Sequence, residues 1–166
     1  MLDVLVGLGG NLGDPRAAFA AALAALAGTG EVVATSGLWR TRPVGPAQPD
    51  YLNAVILIGW PGEPRSLLAR CLELERAAGR DRSSAPRWGA RPLDLDLLLA
   101  RGLVWRGPDL ELPHPRLHER AFALVPAAEV APGWVHPVVG LTLAELADAV
   151  RRADPGALVS STPFEL

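Results

Sequence analysis

Lysine is absent from this 166-residue chain: its 16 basic residues are all arginine. The glycine-rich segment Gly7-Leu8-Gly9-Gly10-Asn11-Leu12-Gly13 is therefore not a Walker A loop, which needs a lysine to reach the phosphates. It reads instead as the place where a strand turns tightly into a helix. Cysteine is nearly absent too. Cys71 stands alone, so no intrachain disulfide can form and an oxidising compartment is not implied. It falls at helical spacing between Leu67 and Leu74, where a small buried hydrophobe is the ordinary reading. No apolar run approaches the roughly 20 residues of a membrane span. The alanine-rich stretch 17–30 follows Asp3 and Asp14 without a basic start, which argues against a targeting peptide. Nor is there a large excess of either charge: net charge is −2 and the pI near 5.9, so bulk electrostatics favour neither nucleic acid nor an anionic membrane. These absences predict a cytoplasmic, soluble chain with one domain over residues 1–166 and neither of those partners.

What is present alternates between strand and helix patterns. Residues 2–8 read as a first strand, followed by a helix with Asn11 or Asp14 as N-cap, Pro15 in its first turn, and Phe19, Leu23 and Leu26 on its buried face. Gly28 and Gly30 stop it. Residues 31–39 predict a second strand, 42–50 a Pro- and Gly-rich loop, and 52–60 a third strand, apolar enough to be covered on both faces. A helix over about 64–79 carries Leu67, Cys71, Leu74 and Ala78 as one stripe, with Gly79 at its end. One or two short strands are expected within 103–112, and a short helix over 116–125 closed by Pro126. The Thr142/Glu145 pair predicts a capping box at the start of a last helix. The order β-α-β-β-α-β predicts a mixed α/β (α+β) fold: a ferredoxin-like sandwich with a mainly antiparallel sheet, helices packed on it, and C-terminal additions. Fold alone gives no function.

The most informative stretch is 87–98, Arg-Trp-Gly-Ala-Arg-Pro-Leu-Asp-Leu-Asp-Leu-Leu. Period-two alternation puts Leu93, Leu95, Leu97 and Leu99 on one face of a strand and Asp94 with Asp96 on the other. Adjacent carboxylates repel unless a cation sits between them, and hard oxygen ligands of this kind suit Mg²⁺ shared with phosphates. A bare Asp-x-Asp can equally be the solvated face of an edge strand. The arginines upstream, Arg76, Arg80, Arg82, Arg87 and Arg91, shift that balance. Arg76 has Glu73 as a helical partner, but Arg82, Arg87 and Arg91 lie in a loop with little acid beyond Asp81. Guanidinium forks leading into paired aspartates suggest a site for Mg²⁺ and a polyphosphate.

Three blocks in order then resemble one family, the 6-hydroxymethyl-7,8-dihydropterin pyrophosphokinases of folate biosynthesis. The first runs Arg40-Thr41-Arg42-Pro43-Val44-Gly45-Pro46 and on through Gln48-Pro49-Asp50-Tyr51-Leu52-Asn53; the second combines Glu75, Gly79-Arg80-Asp81-Arg82 and Arg87 to Asp96; the third is Leu112-Pro113-His114-Pro115 with Arg120-Ala121-Phe122. With the Gly-Asn-Leu-Gly start, the resemblance covers nearly the whole chain. It implies transfer of a pyrophosphoryl group from ATP, the co-substrate, to the hydroxymethyl oxygen of the pterin, with release of AMP. By position it implies two Mg²⁺ ions on Asp94 and Asp96. It implies catalytic phosphate contacts from Arg80, Arg82 and Arg91, and an ATP site completed by Glu75, Arg87, Trp88, His114 and Arg120. The pterin would lie between Tyr51 and Phe122, with Thr41, Pro43, Val44, Asn53 and Asp94 about its edge. A monomer is expected.

The chain departs from the family pattern at four positions. Arg42 stands where Pro is common, Leu72 where a Gln is expected near the nucleotide, Pro115 where an aromatic is frequent, and Asp109 in place of an Arg. The loop between Arg82 and Arg87 is also longer by one residue. These bear on adenine-side contacts, not on the phosphate chemistry, and no side chain reads as an evident general base. Two other classes fit part of the pattern. One is another Mg²⁺-dependent phosphotransfer enzyme on a ferredoxin-like fold, such as a nucleotide cyclase or polymerase-palm relative; the other is a non-catalytic binding module such as an RNA-binding domain of that fold, although no strand carries the exposed aromatics the latter needs.

Overall fold

The computed structural model describes residues 1–79 and 89–164. The sheet is antiparallel throughout, in the order β5-β1-β4-β3-β8, with β2 also paired to β4. Its strands are β1 (Leu2–Gly10), β2 (Glu31–Thr35), β3 (Leu38–Thr41), β4 (Tyr51–Trp60), β5 (Asp94–Ala100) and β8 (Leu158–Thr162). The helices α1 (Pro15–Ala27) and α2 (Pro64–Ala77) complete the βαββαβ unit. A two-stranded hairpin, β6 (Trp105–Arg106) and β7 (Glu111–Leu112), then leads to α3 (Ala121–Val130) and α4 (Leu143–Ala153).

Both faces of the sheet are covered, by different helices. Val4, Val6, Leu8, Ile56, Ile58, Leu95 and Leu97 pack with Phe19, Leu23 and Leu26 of α1 and Leu67 and Cys71 of α2. Leu5, Val55, Leu98 and Leu99 pack on the other side with Leu124 and Val125 of α3 and Leu143 and Leu146 of α4. A continuous apolar run such as Ala54–Ile58 is what a central strand covered on both faces requires.

Several expectations from sequence need correction. Residues 31–39 form two strands along one edge of β4, interrupted at Ser36–Gly37; there Ser36 donates from its N–H to the Val55 carbonyl (2.8 Å) and accepts the Val55 N–H on its hydroxyl (2.9 Å). Leu99 lies on the face opposite Leu97. The ladder to β1 slips between Leu5 and Val6, and this bulge at Leu98 reverses the alternation, as one extra residue must. The 64–79 helix ends at Ala77, and after Leu67 and Cys71 its next buried residue is Glu75, with Leu74 and Ala78 only partly covered. The 116–125 helix is in fact a 3₁₀ turn, Leu117–Glu119, followed by α3, which runs through Pro126. Proline removes one backbone donor, but α3 is buried on most sides, and that packing outweighs the lost bond. Asp14, not Asn11, caps α1, accepting the Ala17 N–H at 3.1 Å. Strand β8, which extends the edge at β3, had no clear signal in its exposed, mixed sequence. The capping box of α4 is present in both directions, Thr142 to Glu145 and back.

Candidate active site

The site grows from the face of the sheet that α3 and α4 cover, at the end where α3 begins. Strand parity alone aligns Tyr51 and Asn53 of β4, Gly7 and Gly9 of β1, and Asp94 and Asp96 of β5 on this face. Both aspartates stand opposite glycines: Asp94 pairs with Gly9 and Asp96 with Gly7. A Cβ at Gly9 would come 3.1 Å from Asn53 Oδ1 and 3.9 Å from the Asp94 Cβ. The bare glycine thus keeps a lane between an amide and a carboxylate free of any side chain. At the next residue the chain is tighter still, since a Cβ at Gly10 would sit 2.6 Å from the Pro92 carbonyl oxygen.

Cations border the carboxylates. Arg91 Nη1 is 3.0 Å from Asp94 Oδ2, with both side chains about one-fifth exposed, and Arg91 Nε donates to the Gly89 carbonyl at 3.3 Å. Arg120 Nη1 lies 3.9 Å from Asp96 Oδ2, and its guanidinium covers the Phe122 ring at 5.5 Å from the centroid. Burial lowers the Arg120 pKa, while Asp96 works against that shift. His114 joins the same group. Its pKa is pushed down to about 4, first by burial and then by Arg120 and Arg116, with Asp94 opposing. His114 Nδ1 accepts the Arg116 N–H at 3.1 Å, so in the neutral ring the proton sits on Nε2, which can donate.

On the other flank, Asn53 and Thr41 are buried and joined by a short hydrogen bond, Asn53 Nδ2 donating to Thr41 Oγ1 at 2.6 Å. The Tyr51 hydroxyl donates to the Gly89 carbonyl at 3.0 Å and so ties β4 to the segment before the aspartates. Pro43 is partly exposed and Val44 well exposed in the loop before β4. Glu75 approaches from the opposite face of the sheet. It is 1% exposed, and its Oε1 accepts the Leu95 N–H at 2.8 Å, clamping α2 to the aspartate strand. Arg80, Arg82, Arg87 and Trp88 lie outside the described residues. The structure thus gathers Asp94, Asp96, Arg91, Arg120 and His114, and beside them Asn53, Thr41 and Tyr51, from segments far apart in sequence.

The donor set of Asp94 and Asp96, hard oxygens on one face flanked by cations, fits Mg²⁺ held jointly with phosphates. Among the described residues no group of three or more His, Cys, Asp or Glu side chains is arranged to hold a metal, so further ligands would come from substrate and water. A cleft of about 190 Å³ opens beside His114, lined also by Trp105, Leu112, His118 and His136; neither aspartate lines it. Of the departures noted in the sequence, Asp109 has a local partner, Arg65 at 3.0 Å. Arg42 packs at the turn before β8, close to Gly156.

Two contributors were not anticipated. Asn11, read as a possible helix cap, instead contacts Arg91, Gln48 and Pro49; Gly9 was read only as part of a turn. The available signal for Asn11 was the presence of Asp14, a better-placed cap three residues before Ala17, which left the Asn11 amide unassigned.

Comparison with known proteins identifies the family. Residues 5–132 match the family model described as 7,8-dihydro-6-hydroxymethylpterin-pyrophosphokinase (HPPK). A 2-amino-4-hydroxy-6-hydroxymethyldihydropteridine pyrophosphokinase of Methylorubrum extorquens is 41% identical over 161 residues, covering 95% of this chain and 98% of the relative. One of the same description from Synechocystis is 41% identical over 149 residues, covering 88% and 75%. Among solved structures, wild-type Plasmodium falciparum HPPK-DHPS superposes with a TM-score of 0.68 at 11% identity, over 98% of this chain and 46% of that longer one. That last likeness speaks to the fold; this chain spans just under half of the Plasmodium protein.

Proposed function

The chain belongs to the 7,8-dihydro-6-hydroxymethylpterin-pyrophosphokinase family, and from that premise we propose how its residues divide the work. The reaction is transfer of a pyrophosphoryl group from ATP to the hydroxymethyl group of 6-hydroxymethyl-7,8-dihydropterin, in folate biosynthesis. The observation that carries the assignment of roles is the Asp94/Asp96 pair, with cations on its outer flank and the hydrogen-bonded Asn53 amide and Thr41 hydroxyl across Gly9. One flank suits phosphates and the other suits the polar edge of a pterin.

The pterin oxygen attacks the β-phosphorus of ATP, the bond from that phosphorus to the AMP oxygen breaks, and the hydroxyl proton is released. Asp94 and Asp96 would hold two Mg²⁺ ions, which would neutralise phosphate charge. Arg91 and Arg120 hold the phosphates by charge-assisted hydrogen bonds. Neutral His114 donates from Nε2 to the nucleotide; Glu75, expected at the ATP site, is instead buried behind the sheet and acts on the nucleotide only by fixing the aspartate strand. Arg80, Arg82, Arg87 and Trp88 are assigned to the ATP site on family position alone. Tyr51 and Phe122 take the pterin ring between them, with Arg120 against the Phe122 ring. Asn53, with Thr41, Pro43, Val44 and Asp94, reads the ring's edge.

No helix among the described residues is long and apolar enough to cross a membrane. We place the enzyme in the cytoplasm as a monomer and a single domain over residues 1–166, a reading supported by two apolar layers that share one sheet. It needs no nucleic acid partner. The decisive assay supplies ATP, Mg²⁺ and the pterin alcohol and looks for the pterin diphosphate by mass spectrometry. Wild type should form it; Asp94→Asn and Asp96→Asn, which leave the leucine face untouched, should not. Full activity in both variants would overturn the assignment of the aspartates.

A further inference from the structure

Asn11 follows the last residue of β1 and is 8% exposed. Its main-chain N–H donates to the Arg91 carbonyl at 2.9 Å, and its Oδ1 accepts the Arg91 N–H at 2.9 Å. The residue therefore clasps both backbone groups of Arg91, as a neighbouring strand would. Its Nδ2 turns the other way, donating to Gln48 Oε1 at 2.9 Å and to the Pro49 carbonyl at 3.0 Å. Both amide hydrogens and the carbonyl oxygen are in use. The orientation of the amide is fixed by chemistry, because a flipped amide would set oxygen against the Pro49 carbonyl and NH₂ against the Arg91 N–H.

The two segments so joined belong to different substrates. Gln48 and Pro49 lead directly into Tyr51 and Asn53 on the pterin flank, and Gln48 Oε1 also lies 3.3 Å from the Tyr51 hydroxyl. Arg91 leads into Asp94 on the phosphate flank and is bonded to it. We propose that Asn11 is a positioning residue that sets the pterin-bearing loop and the phosphate-bearing segment at a fixed distance from each other. It touches neither substrate. Its effect falls on the alignment of the attacking oxygen with the β-phosphorus, where a displacement of about 1 Å can cost about 100-fold in rate.

This inference rests on the assignment of the two flanks made above, and the experiment separates the two. Asn11→Asp is nearly isosteric and keeps the acceptor for the Arg91 N–H, but it replaces both donors with oxygen facing the Pro49 carbonyl. We expect kcat to fall by about 100-fold while the dissociation constants of pterin and of a non-hydrolysable ATP analogue, each measured alone, stay close to wild type. Gln48→Met removes one of the two bonds from the Asn11 amide to the loop and leaves the bond to the Pro49 carbonyl and the clasp on Arg91 intact; it should lower kcat in the same way by a smaller factor. The double variant should be no worse than Asn11→Asp, since both changes break one connection. Should Asn11→Asp fail to fold, Gln48→Met alone decides. A kcat near wild type in Gln48→Met, losses that multiply in the double variant, or a loss confined to the affinity for one substrate would overturn the proposal. A wild-type enzyme that makes no pterin diphosphate would instead remove the functional reading beneath it.

Discussion

The Asn53 amide donates to the Thr41 hydroxyl oxygen across 2.6 Å, between two strands and below the reach of solvent. This bond leaves Asn53 Oδ1 turned over Gly9, towards the aspartates. Thr41→Val would keep the shape of the side chain and strand the Asn53 donor in a buried place. Leaving a buried donor without an acceptor costs about 1–3 kcal/mol. We expect a lower midpoint in urea and a higher KM for the pterin, with the KM for ATP little changed. Thr41→Ser keeps the oxygen and should restore both. If Thr41→Val and Thr41→Ser behave alike, the hydroxyl does not hold Asn53 in place.

Gly10 marks the closest approach of β1 to the segment that carries Arg91. A methyl group there would meet the Pro92 carbonyl at 2.6 Å, a backbone atom with no rotamer to escape into. Gly10→Ala should therefore push Pro92 outwards and weaken the bonds from Asn11 to the Arg91 backbone. Activity should fall far more than in Gly13→Ala, where among the described residues no heavy atom lies within 4 Å of the added methyl and only the positive φ of 63° is strained. Steady-state rates and melting temperatures of the two variants, measured side by side, test the ranking.

These details show where sequence reading stops. The aspartate pair, the βαββαβ order, the buried face of α1 and the cap of α4 follow from periodicity and caps, because burial on one side writes a repeat into the chain. The bulge at Leu98 could not be read so: Leu97, Leu98 and Leu99 are three apolar residues in a row, and any register looks acceptable. Glu75 was legible as a family position but not as a buried clamp on Leu95, since a carboxylate in a helix pattern suggests the exposed face. The gathering of His114 and Arg120 around Asp94 and Asp96 depends on the path of the chain after β5, which no local pattern encodes.

His114 makes stability depend on pH in a definite direction. An unfolded imidazole titrates near about 6.5, whereas in the fold burial and the neighbouring Arg120 and Arg116 hold it at about 4. Between these values the unfolded chain binds the extra proton and the folded one does not. Stability from this group is thus complete above about pH 6.5 and declines as pH falls towards 4. His136, whose pKa is also lowered, first by burial and then by His118, adds a slope of the same sign. His114→Gln should flatten the dependence of melting temperature on pH in that window without abolishing it. An unchanged slope would mean that His114 titrates normally in the folded protein.

The last prediction concerns which bond in ATP breaks. A kinase of the common kind is attacked at the γ-phosphorus and releases ADP, and a cyclase-like relative is attacked at the α-phosphorus and releases pyrophosphate. The family reaction requires attack at the β-phosphorus, with the β- and γ-phosphates moving together. The cations are placed for a spread-out anion: Arg91 lies against Asp94 and Arg120 against Asp96, on successive positions of one strand face. Two guanidiniums separated in this way can keep hold of a diphosphate after its bond to AMP is gone, which a single clamp on a terminal phosphate need not do. The acceptor arrives from the side of Asn53 and Tyr51, so the leaving oxygen must point away from them for an in-line displacement. With ATP labelled separately at the β- and the γ-phosphorus, both labels should appear on the pterin in equal amount, with one AMP formed for each pterin consumed. Transfer of the γ label alone with ADP as the other product would place this chain among ordinary kinases, and a cyclic nucleotide would favour the cyclase-like alternative.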